Sequence, residues 1–234
     1  MIKEALQYIT SLASPTTMIF NELPYTDKHV LPVRSPVPDS LEVETLKGMV
    51  DLQKELYPVK TFALVENYHS VRLLSEVLDQ WNRRNLLVTS KIPEEFPFNF
   101  GVFMDPESFI IGLQCHFVED PALKGLVQFV SSLTAENVAI AEDDGISQTA
   151  TVRQGIALKA TKKVEPKVRL RPYRTFREVD QPPSQFLLRL RNREGMPPSC
   201  ALFEADGGAW KIEAVENIAE WLQEKLPKGV KVVY

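Results

Sequence analysis

A chain of 234 residues with 44% hydrophobic and 25% charged side chains has the composition of an ordinary folded protein, which excludes disorder throughout and allows one large domain or two small ones. Its longest apolar runs, such as Phe109-Ile110-Ile111, fall far short of the roughly 20 residues needed to cross a bilayer, so no membrane partner is expected. The net charge of −4 hides an asymmetry: twelve Lys and Arg stand against three acids between Arg153 and Arg193, a surplus of +9 that leaves −13 on the rest of the chain.

The N-terminus carries Glu4 and lacks the apolar core and small-residue cleavage site of a signal peptide. With Cys115 and Cys200 far apart, this favours a cytoplasmic protein with two buried free thiols over a disulfide. Ile2, Leu6 and Ile9 stand at helical spacing, with Pro15 as a stop. Thr16 to Leu23 reads as a strand broken by Pro24 and Asp27, and Lys28 to Val33 as a short edge strand because of Pro32. Arg34 to Pro38 is an extended spacer, since each proline disfavours helix in its predecessor. Asp39-Ser40 opens a helix with Glu42 at capping-box distance, and Pro58 ends it.

Thr61 to Val65 is a buried strand. Val71, Leu74, Leu78 and Trp81 fit a helix while Val71, Leu73 and Val77 fit an alternating strand; the β-prone Leu86 to Thr89 that follows favours a hairpin with Asp79 to Asn82 near its tip. An irregular aromatic loop with Phe96, Phe98, Phe100 and Phe103 follows. Asp105-Pro106 and Asp120-Pro121 then repeat one helix-start signal, a capping Asp with Pro in the first turn, and together predict an αα-hairpin. Beyond Ala135 the pattern turns to strands: Asp143-Asp144-Gly145 marks a hairpin, and Val164 to Arg171 and Phe186 to Arg193 are strands. Asp206-Gly207-Gly208 marks another hairpin candidate, and Val215, Ala219, Leu222 and Leu226 belong to a closing helix. The expected fold is α+β: a mixed region over 1–135 with the αα-hairpin, then a largely antiparallel β region over 136–234 closed by a C-terminal helix, either separate or fused in one compact domain.

The basic strands carry the most information. Alternation sets Lys167, Arg169 and Arg171 against Val168 and Leu170, and Arg189, Arg191 and Arg193 against Phe186, Leu188 and Leu190. With Arg174 these are the candidate anion- or partner-binding residues. Were the strands neighbours, six cations would share one face, where like charges directly opposite are destabilising. Such a face is a solvated surface, a contact for the acidic remainder of another copy, or a phosphate-binding surface on which Tyr173 and Phe176 stack bases. Other constellations are weaker. Glu142-Asp143-Asp144 reads as a solvated turn. His29, His69 and His116 lack metal-ligand spacing, and Cys115-His116 are poorly placed as nucleophile and base. No phosphate loop or nucleophile elbow occurs, so no cofactor, metal or catalytic residue is predicted.

The stretch Leu170-Arg171-Pro172-Tyr173-Arg174-Thr175-Phe176-Arg177 continuing to Pro182, then Ser184 to Phe186 and Ala201 to Trp210, resembles the YfdQ-like family of phage and prophage proteins. Asp144 to Gln148 and the helix from Asp105 to Phe117 extend the likeness. The resemblance implies a phage or prophage origin and action in the cytoplasm of a bacterial host, and it implies no catalytic residues. The expected function is that of a non-enzymatic phage protein self-associating into a homo-oligomer. The alternative is a nucleic-acid or nucleotide-binding accessory factor of phage DNA metabolism or host-defence evasion.

Overall fold

A computed structural model describes residues 2–21, 23–27, 39–56, 60–78, 83–93, 98–134, 137–143, 148–154, 157–164, 167–193 and 196–234. The chain divides into two units at Pro38/Asp39. In the first unit, apolar residues at helical spacing give α1 (Ile2–Ala13), followed by β1 (Thr17–Phe20) and β2 (Leu23–Thr26), which pair antiparallel with Met18 opposite Tyr25. Pro24, expected to break the strand, sits inside β2. A two-stranded ribbon has only edges, where a missing N–H is tolerated. Every described side chain of this unit is exposed, including Ile2, Leu6, Ile9, Met18, Ile19 and Phe20. The strand expected over Lys28–Val33 and the spacer after it lie outside the described residues.

The second unit opens with a correction. The helix expected from Asp39 begins seven residues later, because Leu41 and Val43 lie in a strand, β3 (Leu41–Val43). Thr45 then caps α2 (Leu46–Glu55), its hydroxyl accepting from the Gly48 N–H at 3.1 Å. Three strands follow the spacing read from the sequence or close to it: β4 (Thr61–Asn67), β5 (Ser70–Ser75) and β6 (Leu86–Lys91). The hairpin of β5 and β6 is antiparallel; its tip, Asp79 to Asn82, lies outside the described residues.

The αα-hairpin is present as α3 (Pro106–His116) and α4 (Pro121–Thr134). Asp105 Oδ1 accepts from the Ser108 N–H at 3.0 Å and Asp120 Oδ1 from the Leu123 N–H at 2.8 Å, so both Asp-Pro signals mark true helix starts. The strand region runs β7 (Asn137–Asp143), β8 (Gln148–Gln154), β9 (Ala157–Val164), β10 (Lys167–Leu170), β11 (Ser184–Arg193) and β12 (Met196–Glu204), all paired antiparallel in two three-stranded sheets, β7-β8-β9 and β10-β11-β12. The single strand expected over Val164–Arg171 is thus the end of β9 and the whole of β10. The hairpin expected at Asp206-Gly207-Gly208 is a helix start: Trp210 to Ile212 open α5 (Trp210–Lys225). The last strand, β13 (Lys231–Val233), runs parallel to β4 and completes a sheet of order β13-β4-β5-β6-β3.

Alternation along these strands builds two cores. On the five-stranded sheet, Ala63, Val65, Val71, Leu73 and Val88 meet Leu46, Met49 and Val50 of α2 and Ile218, Ala219 and Leu222 of α5. On β10-β11-β12, Leu170, Phe186, Leu188, Leu190, Cys200 and Leu202 meet Phe109, Leu113 and Phe117 of the α3 side and Leu123, Leu126, Val130 and Leu133 of α4. This second core draws on both sides of residue 135, so within the second unit the stretches before and after that position share one α+β body, and the division of the chain falls at Pro38/Asp39 instead. No helix among the described residues is long and apolar enough to cross a membrane.

Candidate functional site

The alternation read for the basic strands holds. Leu170, Phe186, Leu188 and Leu190 are buried, whereas Lys167, Arg169, Arg171 and Arg191 are exposed and Arg189 is half-buried. Strands β10 and β11 are neighbours, yet their register sets Lys167 opposite Leu187 and Arg169 opposite Gln185, and on the other side Arg189 meets Ala201 and Arg191 meets Ser199. No cation of this set stands directly opposite another; the stagger removes the expected cross-strand repulsion. The Arg191 guanidinium lies 3.9 Å above the Phe103 ring. Among the described residues no carboxylate pairs with Lys167, Arg169, Arg171 or Arg191. The side chain of Arg193 lies outside those described.

Arg174 separates from this group and turns inward. The loop that carries it is tied at its start to the end of α3: the Tyr173 N–H donates to the His116 carbonyl at 2.8 Å, and the Arg171 carbonyl accepts from the Val118 N–H at 2.8 Å. The buried Gln181 side chain braces its middle, accepting from the Arg174 and Thr175 N–H groups and donating to the Phe176 and Val179 carbonyls. Thr175 donates to the Tyr68 carbonyl at 2.6 Å, and Phe176 is fully buried in the core of the five-stranded sheet. The loop therefore joins the two cores, which is why Phe176, expected as a core or stacking aromatic, is core.

The Arg174 guanidinium lies 3.8 Å above the Trp210 ring and donates to the Glu204 carboxylate and the Ser184 hydroxyl. Burial pushes its pKa down to about 10, against the opposing pull of Glu204 and Asp206, so it is a charged group at neutral pH. Its Nε and the Oδ2 of Asp206 are buried without a hydrogen-bond partner. Burial raises Asp206, but hydrogen bonds from Ser184 and the Gly208 N–H and the charge of Arg174 outweigh this and hold it below the ordinary carboxylate value. Gly207 and Gly208, at φ 63° and 81°, take the left-handed turn that launches α5 and seats Trp210 beneath the arginine.

Above this floor opens a cavity of about 980 Å³. Tyr68, Phe100, Tyr173 and Trp210 form its aromatic walls, and Glu44, Lys47, Arg177 and Glu178 stand among its charged lining. Glu178 accepts from the Lys47 N–H in the first turn of α2 at 3.3 Å, and the Arg177 guanidinium lies 3.8 Å above the Tyr173 ring. Cys115 and His116, expected to be packing or surface residues, both line this cavity; His116 Nδ1 lies 2.8 Å from the Gly112 carbonyl oxygen. Both contribute because α3 ends there and the chain bends away into Phe117.

The expectation of two buried thiols is half corrected: Cys200 is buried, Cys115 exposed, and both are free. Burial, reinforced by the charge of Asp105, pushes the Cys200 thiol up to about 12. A thiol reagent at neutral pH should therefore modify one cysteine per native chain, Cys115, and reach Cys200 only after denaturation; mass spectrometry of the digested adduct reads this directly.

Among the described residues no three His, Cys, Asp or Glu side chains gather as a metal site. The chain matches no protein-family model, no curated protein and no solved structure.

Proposed function

We propose that the protein is a non-enzymatic, self-associating protein of phage origin that builds a homo-oligomer through charge-complementary faces. The observation that carries this reading is the exposed row of Lys167, Arg169 and Arg191, which has no carboxylate partner among the described residues. Its complement exists on the same body. Glu213, Glu216 and Glu220 stand at i, i+3 and i+7 on α5, all exposed, within an arc of about 60° of the helix. A basic sheet face of one copy against the acidic helix face of the next joins two different patches. Such a contact is heterologous and propagates into a ring, shell or filament. The first unit adds apolar surface, since Ile2, Leu6, Ile9, Ile19 and Phe20 remain mostly exposed within it.

The test is a charge swap followed by size-exclusion chromatography with light scattering. Wild type is expected to be oligomeric at about 0.05 M salt and to dissociate towards about 0.5 M as the contact is screened. Arg169→Glu with Arg191→Glu, and separately Glu216→Lys with Glu220→Lys, should each give smaller species, and mixing the two variants should restore mass. A wild-type monomer at low salt and micromolar concentration would overturn the reading.

A further inference from the structure

The first unit holds two apolar faces that it leaves uncovered. On α1, Ile2, Leu6, Ile9 and Leu12 fall within an arc of about 120°, with Gln7 and Ser11 on the opposite side. On the ribbon, Met18 stands opposite Tyr25 and two residues before Phe20, so the three share one face, where the Phe20 and Tyr25 rings meet edge-on at 6.4 Å. Ile9 is 61% exposed and Phe20 67%, so neither face covers the other. A helix of 12 residues and a two-stranded ribbon are each marginal alone in water, and both therefore need an apolar partner.

The hinge between the two elements keeps them from covering each other. Only Ser14, Pro15 and Thr16 separate α1 from β1. Pro15 cannot continue the helix, and Thr16 is pinned at the open end of the ribbon: its N–H donates to Asp27 Oδ1 at 2.7 Å and its carbonyl accepts from the Asp27 N–H at 3.2 Å. Short hinges invite exchange of elements between copies. A lipid surface fits less well. Helices that lie in one carry Lys and Arg on their polar face, whereas α1 has one Lys, Lys3, beside one Glu, Glu4. Its Thr10 and Ser11 hydroxyls donate back to the Leu6 and Tyr8 carbonyls. Area points to a second copy as well: the seven apolar side chains of the two faces expose roughly 900 Å² per copy, near the ~800 Å² that each partner of a standard interface buries.

We propose that two copies exchange these faces, α1 of each lying on the face of Met18, Phe20 and Tyr25 in the other. A helix on a sheet is a stable pair of layers, and the exchange covers both faces at once, whereas α1 against α1 would leave both ribbons bare. The contact is isologous and closes at two copies. It differs from the charge contact in surface, in symmetry and in its indifference to salt.

The test reads the mass of the full chain by light scattering at about 0.5 M salt, where the charge contact is screened. Wild type should weigh twice the 26.5 kDa of one chain, and Ile9→Asp with Phe20→Asp should weigh one chain, with the melting temperature of the body unchanged because both side chains are exposed. The arrangement is read with a short bis-maleimide in a Cys115→Ser background, which leaves Cys200 buried. Chains carrying Ile9→Cys mixed with chains carrying Met18→Cys should cross-link to each other, and Ile9→Cys chains alone should not. A wild-type monomer at about 0.5 M salt, a double variant that stays dimeric, or Ile9→Cys linking to itself as efficiently as in the mixture would each overturn the proposal. So would flotation of wild type with phosphatidylcholine–phosphatidylserine vesicles. The two contacts fail separately, since the charge swap is read at about 0.05 M salt and this exchange at about 0.5 M.

Discussion

Replacing Arg174 with Ala should cost about 3 kcal/mol of folding stability, because one side chain serves three kinds of partner. Its loss leaves the Glu204 carboxylate and the Ser184 hydroxyl without their donor, removes the cation from above Trp210, and takes away a charge that helps hold Asp206 ionised. Breaking a fully buried ion pair costs roughly 3–5 kcal/mol; Glu204 is 44% exposed and recovers part of that from water, which places the expected loss at the lower end. Arg174→Lys should recover little, since an ammonium cannot reach two acceptors with a planar fork while stacking on an indole. Arg174→Met keeps most of the volume and separates lost packing from lost charge. The acid limb of the stability profile carries a second signature. The folded-state pKa of Asp206 is depressed, so its contribution is complete above the ordinary value of 3.8 and is lost as pH falls through the lower folded value. With Arg174 gone one cause of the depression goes too, so the variant should lose less stability than wild type over that acid range. Denaturant unfolding at neutral pH and in acid measures both effects.

The elements that follow from short-range rules were legible before any coordinates. Asp105-Pro106 and Asp120-Pro121 mark helix starts because the cap and the missing N–H act within one turn. The alternation of β11 is likewise local, and it placed Leu188 and Leu190 inward and Arg191 outward correctly. Errors came where a distant partner decides. Asp39 and Glu42 have capping-box spacing, but Leu41 and Val43 pair with Val88 and Ser90, some 47 residues on, and that pairing wins. Asp206-Gly207-Gly208 fits a hairpin as well as a helix start, and only the burial of Trp210, Ala214 and Ile218 selects the helix. The site was half legible. Arg174 was singled out as a cation, but grouped with the strand arginines, because nothing in the sequence says that Gln181 folds the loop back and turns it inward. Tyr68, Ser184, Glu204 and Trp210 were missed as its partners, being contributed by four separated segments.

The core beneath this site should be the most sensitive place in the molecule. Phe186 is fully buried on β11, the middle strand of its sheet. Its ring stacks on Phe100 with centroids 5.1 Å apart and planes 8° from parallel, meets Phe117 edge-on at 6.1 Å, and lies 5.8 Å from the Arg174 guanidinium. Phe186→Ala removes the apolar contact and leaves a cavity that neighbours on a central strand cannot collapse to fill, so the expected loss is about 3–5 kcal/mol. Phe186→Leu fills most of the space and should cost less than half as much. Phe20→Ala serves as the contrast: that ring is 67% exposed in the first unit, and its loss should change stability by no more than about 0.5 kcal/mol while bearing on association. Equilibrium unfolding followed by circular dichroism measures all three, and comparable losses at Phe186 and Phe20 would contradict this packing. Because Phe186 and Arg174 share neighbours, the double variant with Arg174→Ala should be less unstable than the two single losses combined: once the aromatic cluster has loosened, water reaches the carboxylate of Glu204 that the missing guanidinium would otherwise leave bare.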